Sequence, residues 1–198
     1  MSYFDDLFSG GRRVLAILRG LEPERTAQLA RRAWELGITA VEVPIATPDA
    51  EESLRAAVRA GDGRPVGAGT VVTPEQVRTA ARTGAAFTVA PGLDAEVVRA
   101  GDDLGVPHLP GVATPSEVQH ANRLGLRWLK AFPATALGPE WFSAMRGPFP
   151  GVELVATGGI GAGNAREYLR AGASVVAVGS ALEDPEQLPA LAELVDPP

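Results

Sequence analysis

The 198-residue chain is predicted to form a closed (β/α)₈ barrel, an α/β architecture of eight strand–helix units. Three observations carry this expectation. Eight short apolar runs alternate with stretches of helical period from one end of the chain to the other. The runs lack polar alternation, so both of their faces are buried, as in a parallel sheet. Five helical stretches end at a glycine that leads into the next run within three residues. The length sits near the lower bound of about 200 residues for such a barrel. The runner-up, an open doubly wound sheet, more often has about six strands.

Tyr3–Phe8 is expected to be a short helix across the barrel floor. The first run, Arg13–Leu18, precedes Pro23–Leu36, where Leu29, Ala33 and Leu36 recur at helical spacing before Gly37. Ala40–Ile45 and Asp49–Ala60 form the second unit. Val66–Thr70 leads to Thr73-Pro74-Glu75, a capping residue before a proline at the first turn, which opens Pro74–Thr83. That helix carries Val77, Ala80 and Ala81 and stops at Gly84. Ala86–Pro91 and Asp94–Leu104 follow, closed by Gly105. After His108–Val112, Thr114-Pro115-Ser116-Glu117 starts Pro115–Leu124, which ends at Gly125. The last three units pair Trp128–Pro133 with Pro139–Met145, Val152–Gly158 with Gly161–Ala171 and its Gly172, and Ser174–Gly179 with Asp184–Val195. No linker or low-complexity stretch interrupts the series, so residues 1–198 are expected to form one domain.

Composition narrows the functions. Apolar residues make up 45% and charged residues 21%, an ordinary balance for a soluble globular protein. The net charge of −6, without a basic stripe, argues against nucleic acid. Cysteine is absent, which removes disulfides, thiolate nucleophiles and cysteine metal sites. The acidic start, MSYFDDLFSGGRR, does not read as a signal peptide, and no run approaches a membrane span. A cytoplasmic protein without a membrane partner is the expectation.

The chemistry is signalled by one residue. Of 18 basic residues, 17 are arginine; the single lysine, Lys130, lies in the apolar run Trp128-Leu129-Lys130-Ala131-Phe132-Pro133. A lysine is rarely buried unless it is paired. An arginine stays charged there, whereas a desolvated amine can lose its proton and attack a carbonyl. At the usual value near 10.4, roughly one amine in 2,500 is neutral at pH 7. Lowering it by about three units corresponds to roughly 4 kcal/mol, within the reach of burial. The bland alternative is a lysine whose head snorkels to the strand end.

In such barrels the chemistry gathers at the C-terminal ends of strands. Glu42 lies in Ala40-Val41-Glu42-Val43-Pro44-Ile45, where alternation sets it opposite Val41, Val43 and Ile45. If the valines face the helices, the carboxylate points inward with a raised pKa suited to proton transfer. A structural ion pair with Lys130 or an arginine is the other reading. Thr157-Gly158-Gly159 and Gly179-Ser180 end the seventh and eighth strands, where barrels commonly hold phosphate, although tight turns also demand glycine. Arg19 and Thr70 end the first and third strands and together suit a carboxylate. The run Gly159-Ile160-Gly161-Ala162-Gly163 lacks dinucleotide-loop spacing, and His108 and His120 read as structural or surface residues. No metal site and no cofactor are expected.

These residues, in this order, resemble the family of 2-keto-3-deoxy-6-phosphogluconate and 2-keto-3-deoxy-6-phosphogalactonate aldolases. The matching blocks run from Leu15-Ala16-Ile17-Leu18-Arg19-Gly20 to Gly179-Ser180-Ala181-Leu182. They include Val41-Glu42-Val43-Pro44, Gly67-Ala68-Gly69-Thr70-Val71, Ala90-Pro91-Gly92, Pro110-Gly111-Val112, Leu129-Lys130-Ala131-Phe132-Pro133 and Thr157-Gly158-Gly159-Ile160. The resemblance implies a metal-free class I aldolase, a lyase and typically a homotrimer, that releases pyruvate and glyceraldehyde 3-phosphate. It implies Lys130 as the Schiff-base residue and Glu42 as the proton shuttle. Arg19 and Thr70 would hold the carboxylate, Gly158, Gly159, Gly179 and Ser180 the phosphate, and Thr157 would contact sugar hydroxyls. Gluconate-type enzymes have an arginine four residues after the glutamate, where this chain has Ala46. That absence, the Leu18-Arg19-Gly20 ending and the run Phe132–Pro139 look like the galactonate type. Thr157 departs from it, since valine is usual there, so the gluconate epimer, 4-hydroxy-2-oxoglutarate or dual use are the alternatives. A phosphate-binding isomerase or synthase, and a non-catalytic phospho-ligand sensor, are the readings outside this class.

Overall fold

The computed structural model describes residues 2–47, 49–184 and 186–195. Pro48, after the second run, and Pro185, inside the last expected helix, lie outside the described residues. Among the described residues nine strands form one parallel sheet: β1 (Val14–Ile17), β2 (Ala40–Pro44), β3 (Val66–Gly69), β4 (Phe87–Val89), β5 (His108–Leu109), β6 (Gly111–Val112), β7 (Trp128–Ala131), β8 (Glu153–Thr157) and β9 (Val175–Val178). The order is β5-β4-β3-β2-β1-β9-β8-β7-β6. The two edge strands, β5 and β6, are halves of one expected run split at Pro110, so the ring is that of the eightfold barrel. Proline has no N–H to give to a ladder, which is why the run breaks there. Its carbonyl still accepts the Lys130 N–H at 2.8 Å.

Helices α2 (Pro23–Glu35), α3 (Ala50–Gly61), α4 (Pro74–Thr83), α5 (Ala95–Leu104), α6 (Pro115–Arg123), α8 (Pro139–Arg146), α9 (Ala165–Ala171) and α10 (Leu188–Val195) match the expected helices; α1 (Tyr3–Leu7) precedes them and α7 (Ala134–Leu137) follows β7. Thr73 Oγ1 accepts the Gln76 N–H at 3.2 Å, and Thr114 shares a reciprocal capping box with Glu117. Gly37, Gly84, Gly105, Gly125 and Gly172 all adopt positive φ, as their role at helix ends requires.

Two helices start later than expected, for local reasons. Asn164 Oδ1 takes the Gly161 N–H at 2.9 Å, and this side-chain turn holds residues 161–164 outside α9. Asp184 similarly accepts the Glu186 N–H at 3.0 Å and the Gln187 amide at 2.9 Å, before α10 begins. A 3₁₀ turn, Ser180–Leu182, lies between β9 and that segment.

Strand parity divides the apolar residues into two clusters. Val14, Ala16, Val41, Val43, Leu129, Ala131, Leu154 and Ala156 pack outward against the helices. Leu15, Ile17, Ala40, Phe87, Val89, Leu109, Trp128, Val155, Val175 and Ala177 fill the barrel interior with Phe4 and Leu7 of α1. The floor helix is thus part of the interior packing. Phe4 meets Phe87 edge-on at 5.8 Å, and the Trp128 indole donates to Asp5 Oδ1 at 2.9 Å.

His108 is 6% exposed, with Nδ1 2.8 Å from Thr88 Oγ1; Nε2 has no protein partner among the described residues. Burial pushes the imidazole down to about 4. His120 is exposed on α6. An unfolded imidazole protonates near 6.5, so His108 favours the folded state fully above that pH. The contribution is lost as pH falls through about 4 and amounts to roughly 3 kcal/mol. Urea unfolding of wild type and His108→Gln at pH 7.5 and 4.5 should show a smaller acid loss in the variant.

Candidate active site

Parity decides the orientation of Glu42. Val41 and Val43 face the helices, so Glu42 points into the barrel, level with Ile17 of β1 and Gly67 of β3. It is fully buried, and neither carboxylate oxygen has a protein hydrogen-bond partner among the described residues. Desolvation raises its pKa, against the opposing pull of the Lys130 and Arg19 charges. Lys130 faces inward on β7, in register with Gly111 and Val155, and is 2% exposed. Desolvation lowers its pKa; the Glu42 charge opposes this and the Arg19 charge reinforces it. Both groups are therefore driven toward their neutral forms inside one dry interior. Among the described residues Lys130 has no carboxylate within ion-pair distance, which disfavours the reading of a closed structural salt bridge. The side chain is 2% exposed, so its head does not extend into bulk solvent.

A cavity of about 750 Å³ opens at the C-terminal rim, at the ends of β1, β8 and β9. Its wall includes Arg19, Thr157, Gly158, Gly159, Gly179 and Ser180, six of the nine residues expected from the sequence. Glu42 and Lys130 are not in that wall. The Phe132 ring is, and Lys130 Nζ lies 5.0 Å from its centroid, so this ring adjoins both the amine and the cavity. Sequence reasoning gave Phe132 no role; the available signal was its position two residues beyond Lys130, on the same face of the run.

Thr70 is not in the cavity wall either. It follows β3, two strands from β1, with φ of 57°. A β-branched residue seldom takes this conformation, which costs about 1–2 kcal/mol, and such strain gathers at functional sites.

The turn after β8 is held by its neighbours. Gly158 and Gly159 have φ of 100° and 74°, and a Cβ on Gly159 would fall 2.6 Å from Thr135 Oγ1. Asn164 Nδ2 donates to the Gly159 carbonyl at 3.0 Å, and Gln187 Oε1 accepts the Ala162 N–H at 3.3 Å. Asn164 and Gln187 were not among the expected site residues. Both act on backbone from a distant point in the chain or from within an expected helix, so neither had a signature. Thr157, 4% exposed, ends β8 beside this turn. The described residues contain no group of three or more His, Cys, Asp or Glu able to hold a metal ion.

A family profile described as KDPG and KHG aldolase matches residues 10–193. The chain is 39% identical over 176 residues to a probable 2-dehydro-3-deoxy-6-phosphogalactonate aldolase of Rhizobium meliloti, covering 88% of this chain and 83% of that protein. It is 40% identical over 137 residues to a 2-dehydro-3-deoxy-phosphogluconate aldolase of Pseudomonas aeruginosa, covering 67% and 61% of the two chains. Among solved structures it is similar to a KDPG aldolase of Legionella pneumophila in which pyruvate was captured as a covalent carbinolamine. That similarity has a TM-score of 0.85 at 31% identity, over 98% of this chain and 97% of the other.

Proposed function

The chain belongs to the KDPG and KHG aldolase family, and from that premise we propose that it cleaves 2-dehydro-3-deoxy-6-phosphogalactonate into pyruvate and glyceraldehyde 3-phosphate. The observation that carries the proposal is the buried pair of Lys130 and Glu42, each driven toward neutrality. Neutral Lys130 Nζ adds to the C2 ketone, and protonated Glu42 gives its proton to the departing hydroxyl, so that water leaves, an iminium forms and Glu42 becomes a carboxylate. The C4 hydroxyl gives its proton to the Glu42 carboxylate. The C3–C4 bond breaks, its electron pair moves toward the iminium to form an enamine, and the aldehyde departs. Glu42 returns the proton to C3, and water hydrolyses the iminium to pyruvate and neutral Lys130 while the Glu42 carboxylate takes up the proton released. The reaction needs no redox partner, metal or cofactor.

In this reading Arg19 and Thr70 hold the substrate carboxylate, Thr157 meets the sugar hydroxyls, and Gly158, Gly159, Gly179 and Ser180 take the phosphate. Glycines let backbone N–H groups approach an anion closely. The reading treats the chain as one catalytic domain, working in the cytoplasm as a homotrimer. Losing the guanidinium in Arg19→Ala removes charge-assisted hydrogen bonds worth about 1.5–3 kcal/mol. Initial rates should then show kcat/KM lower by roughly 10- to 150-fold, with the loss mainly in KM.

Thr157 favours a second reading, in which the gluconate epimer is used as well or instead. Turnover of the two epimers separates these readings. Trapping with pyruvate and borohydride, followed by peptide mass mapping, tests the mechanism. An adduct on Lys130 supports it, and an active protein giving no adduct rules it out.

A further inference from the structure

We propose that Gly69 is a positioning residue whose missing side chain forms the niche that seats the Glu42 carboxylate. The inference deepens the reading of Glu42 as proton shuttle and rests on it. Gly69 and Gly67 both face inward on β3, with Gly69 paired to Pro44 and Gly67 to Glu42 on the neighbouring strand. A Cβ on Gly69 would fall 1.5 Å from Glu42 Oε1, 2.4 Å from Cδ and 2.9 Å from Cγ. Three atoms of the acid therefore occupy the volume that a side chain at residue 69 would take. The glutamate reaches one step up the barrel, from the level of Gly67 to that of Gly69.

Two further observations make this a matter of shape. Gly69 does not have positive φ, so its backbone conformation does not require glycine. In addition, no protein hydrogen bond among the described residues holds either carboxylate oxygen. What seats the acid is the space left by residue 69. Gly67 makes a comparable space for a different guest: a Cβ there would fall 2.2 Å from the Phe87 ring, part of the barrel core. The two glycines thus separate a functional niche from a packing niche on one strand.

The test is a set of variants assayed for kcat, KM and pH profile. Gly69→Ala is expected to lower kcat by about 100-fold or more, as for an acid misplaced by about 1 Å, with KM changed only a few-fold. The limb of the pH profile that reports Glu42 should move toward lower pH as the acid is pushed out of its niche. Gly67→Ala is expected to lower the melting temperature and leave that limb in place. Glu42→Asp should lower kcat in the wild-type background and raise it in the Gly69→Ala background, because the shorter acid leaves room for the added methyl group. Should Gly69→Ala not fold, adding Glu42→Ala must restore folding, since the clash is with that side chain. Wild-type kcat and pH profile in Gly69→Ala, or an equal effect of Glu42→Asp in both backgrounds, overturns the proposal. So does failure of Glu42→Ala to rescue folding.

NMR titration of ¹³C-labelled glutamate separates this inference from the reading it rests on. If the protein forms no pyruvate adduct, the aldolase reading fails. Gly69→Ala must still shift the Glu42 carboxyl titration downward, or the niche itself is refuted.

Discussion

Lys130→Arg is expected to abolish aldol cleavage, with kcat reduced by at least about 10⁴-fold, the scale seen when a covalent nucleophile is removed. Arginine keeps the positive charge but cannot become a neutral nucleophile at any working pH. If the lysine merely held an anion by charge, the variant would retain much of the activity. Lys130→Met complements it by keeping an unbranched chain and removing the buried charge. It should be equally inactive, yet melt at least as high as wild type, because no amine has to be desolvated. Steady-state rates, borohydride trapping and thermal melts on the three proteins check this, and a rate for Lys130→Arg within tenfold of wild type would refute the imine.

Glu42→Gln is expected to reduce kcat by about 10²- to 10⁴-fold, the usual contribution of a positioned acid–base group, while pyruvate can still form an imine more slowly. Its second effect is on stability. The folded-state pKa of Glu42 is raised, so its contribution is fully present below the unfolded value and lost as pH rises through the folded one. The amide has no such ionisation. Melting temperatures of Glu42→Gln and wild type should therefore diverge in the variant's favour as pH rises above the ordinary carboxylate range. A variant that is less stable than wild type at pH 8 would show that burial of the charge is not the governing term.

The elements legible in the sequence were those governed by local periodicity. Glu42 could be aimed inward because alternate residues face opposite sides of a strand, and Val41 and Val43 were plainly apolar. Lys130 could be singled out because its burial had to be explained. The glycines at helix ends were legible because one residue sets a backbone conformation. Gly69 has no signature in the sequence, since its purpose depends on a side chain 27 positions earlier that reaches it across a strand pair. Phe132 is illegible for the same kind of reason. Its ring matters through where the Lys130 amine ends up, and apolar runs give no account of that. The later starts of α9 and α10 were missed because side-chain turns at Asn164 and Asp184 outcompete helical hydrogen bonds.

The floor helix has a consequence for the opposite end of the barrel. Phe4 and Leu7 stop the lower bore, and Asp5 grips Trp128, which stands two residues before Lys130 on the same strand. This packing closes the end of the barrel opposite the cavity that Phe132 lines. Helix α1 thus works as a cork in the end of the barrel that faces away from the cavity.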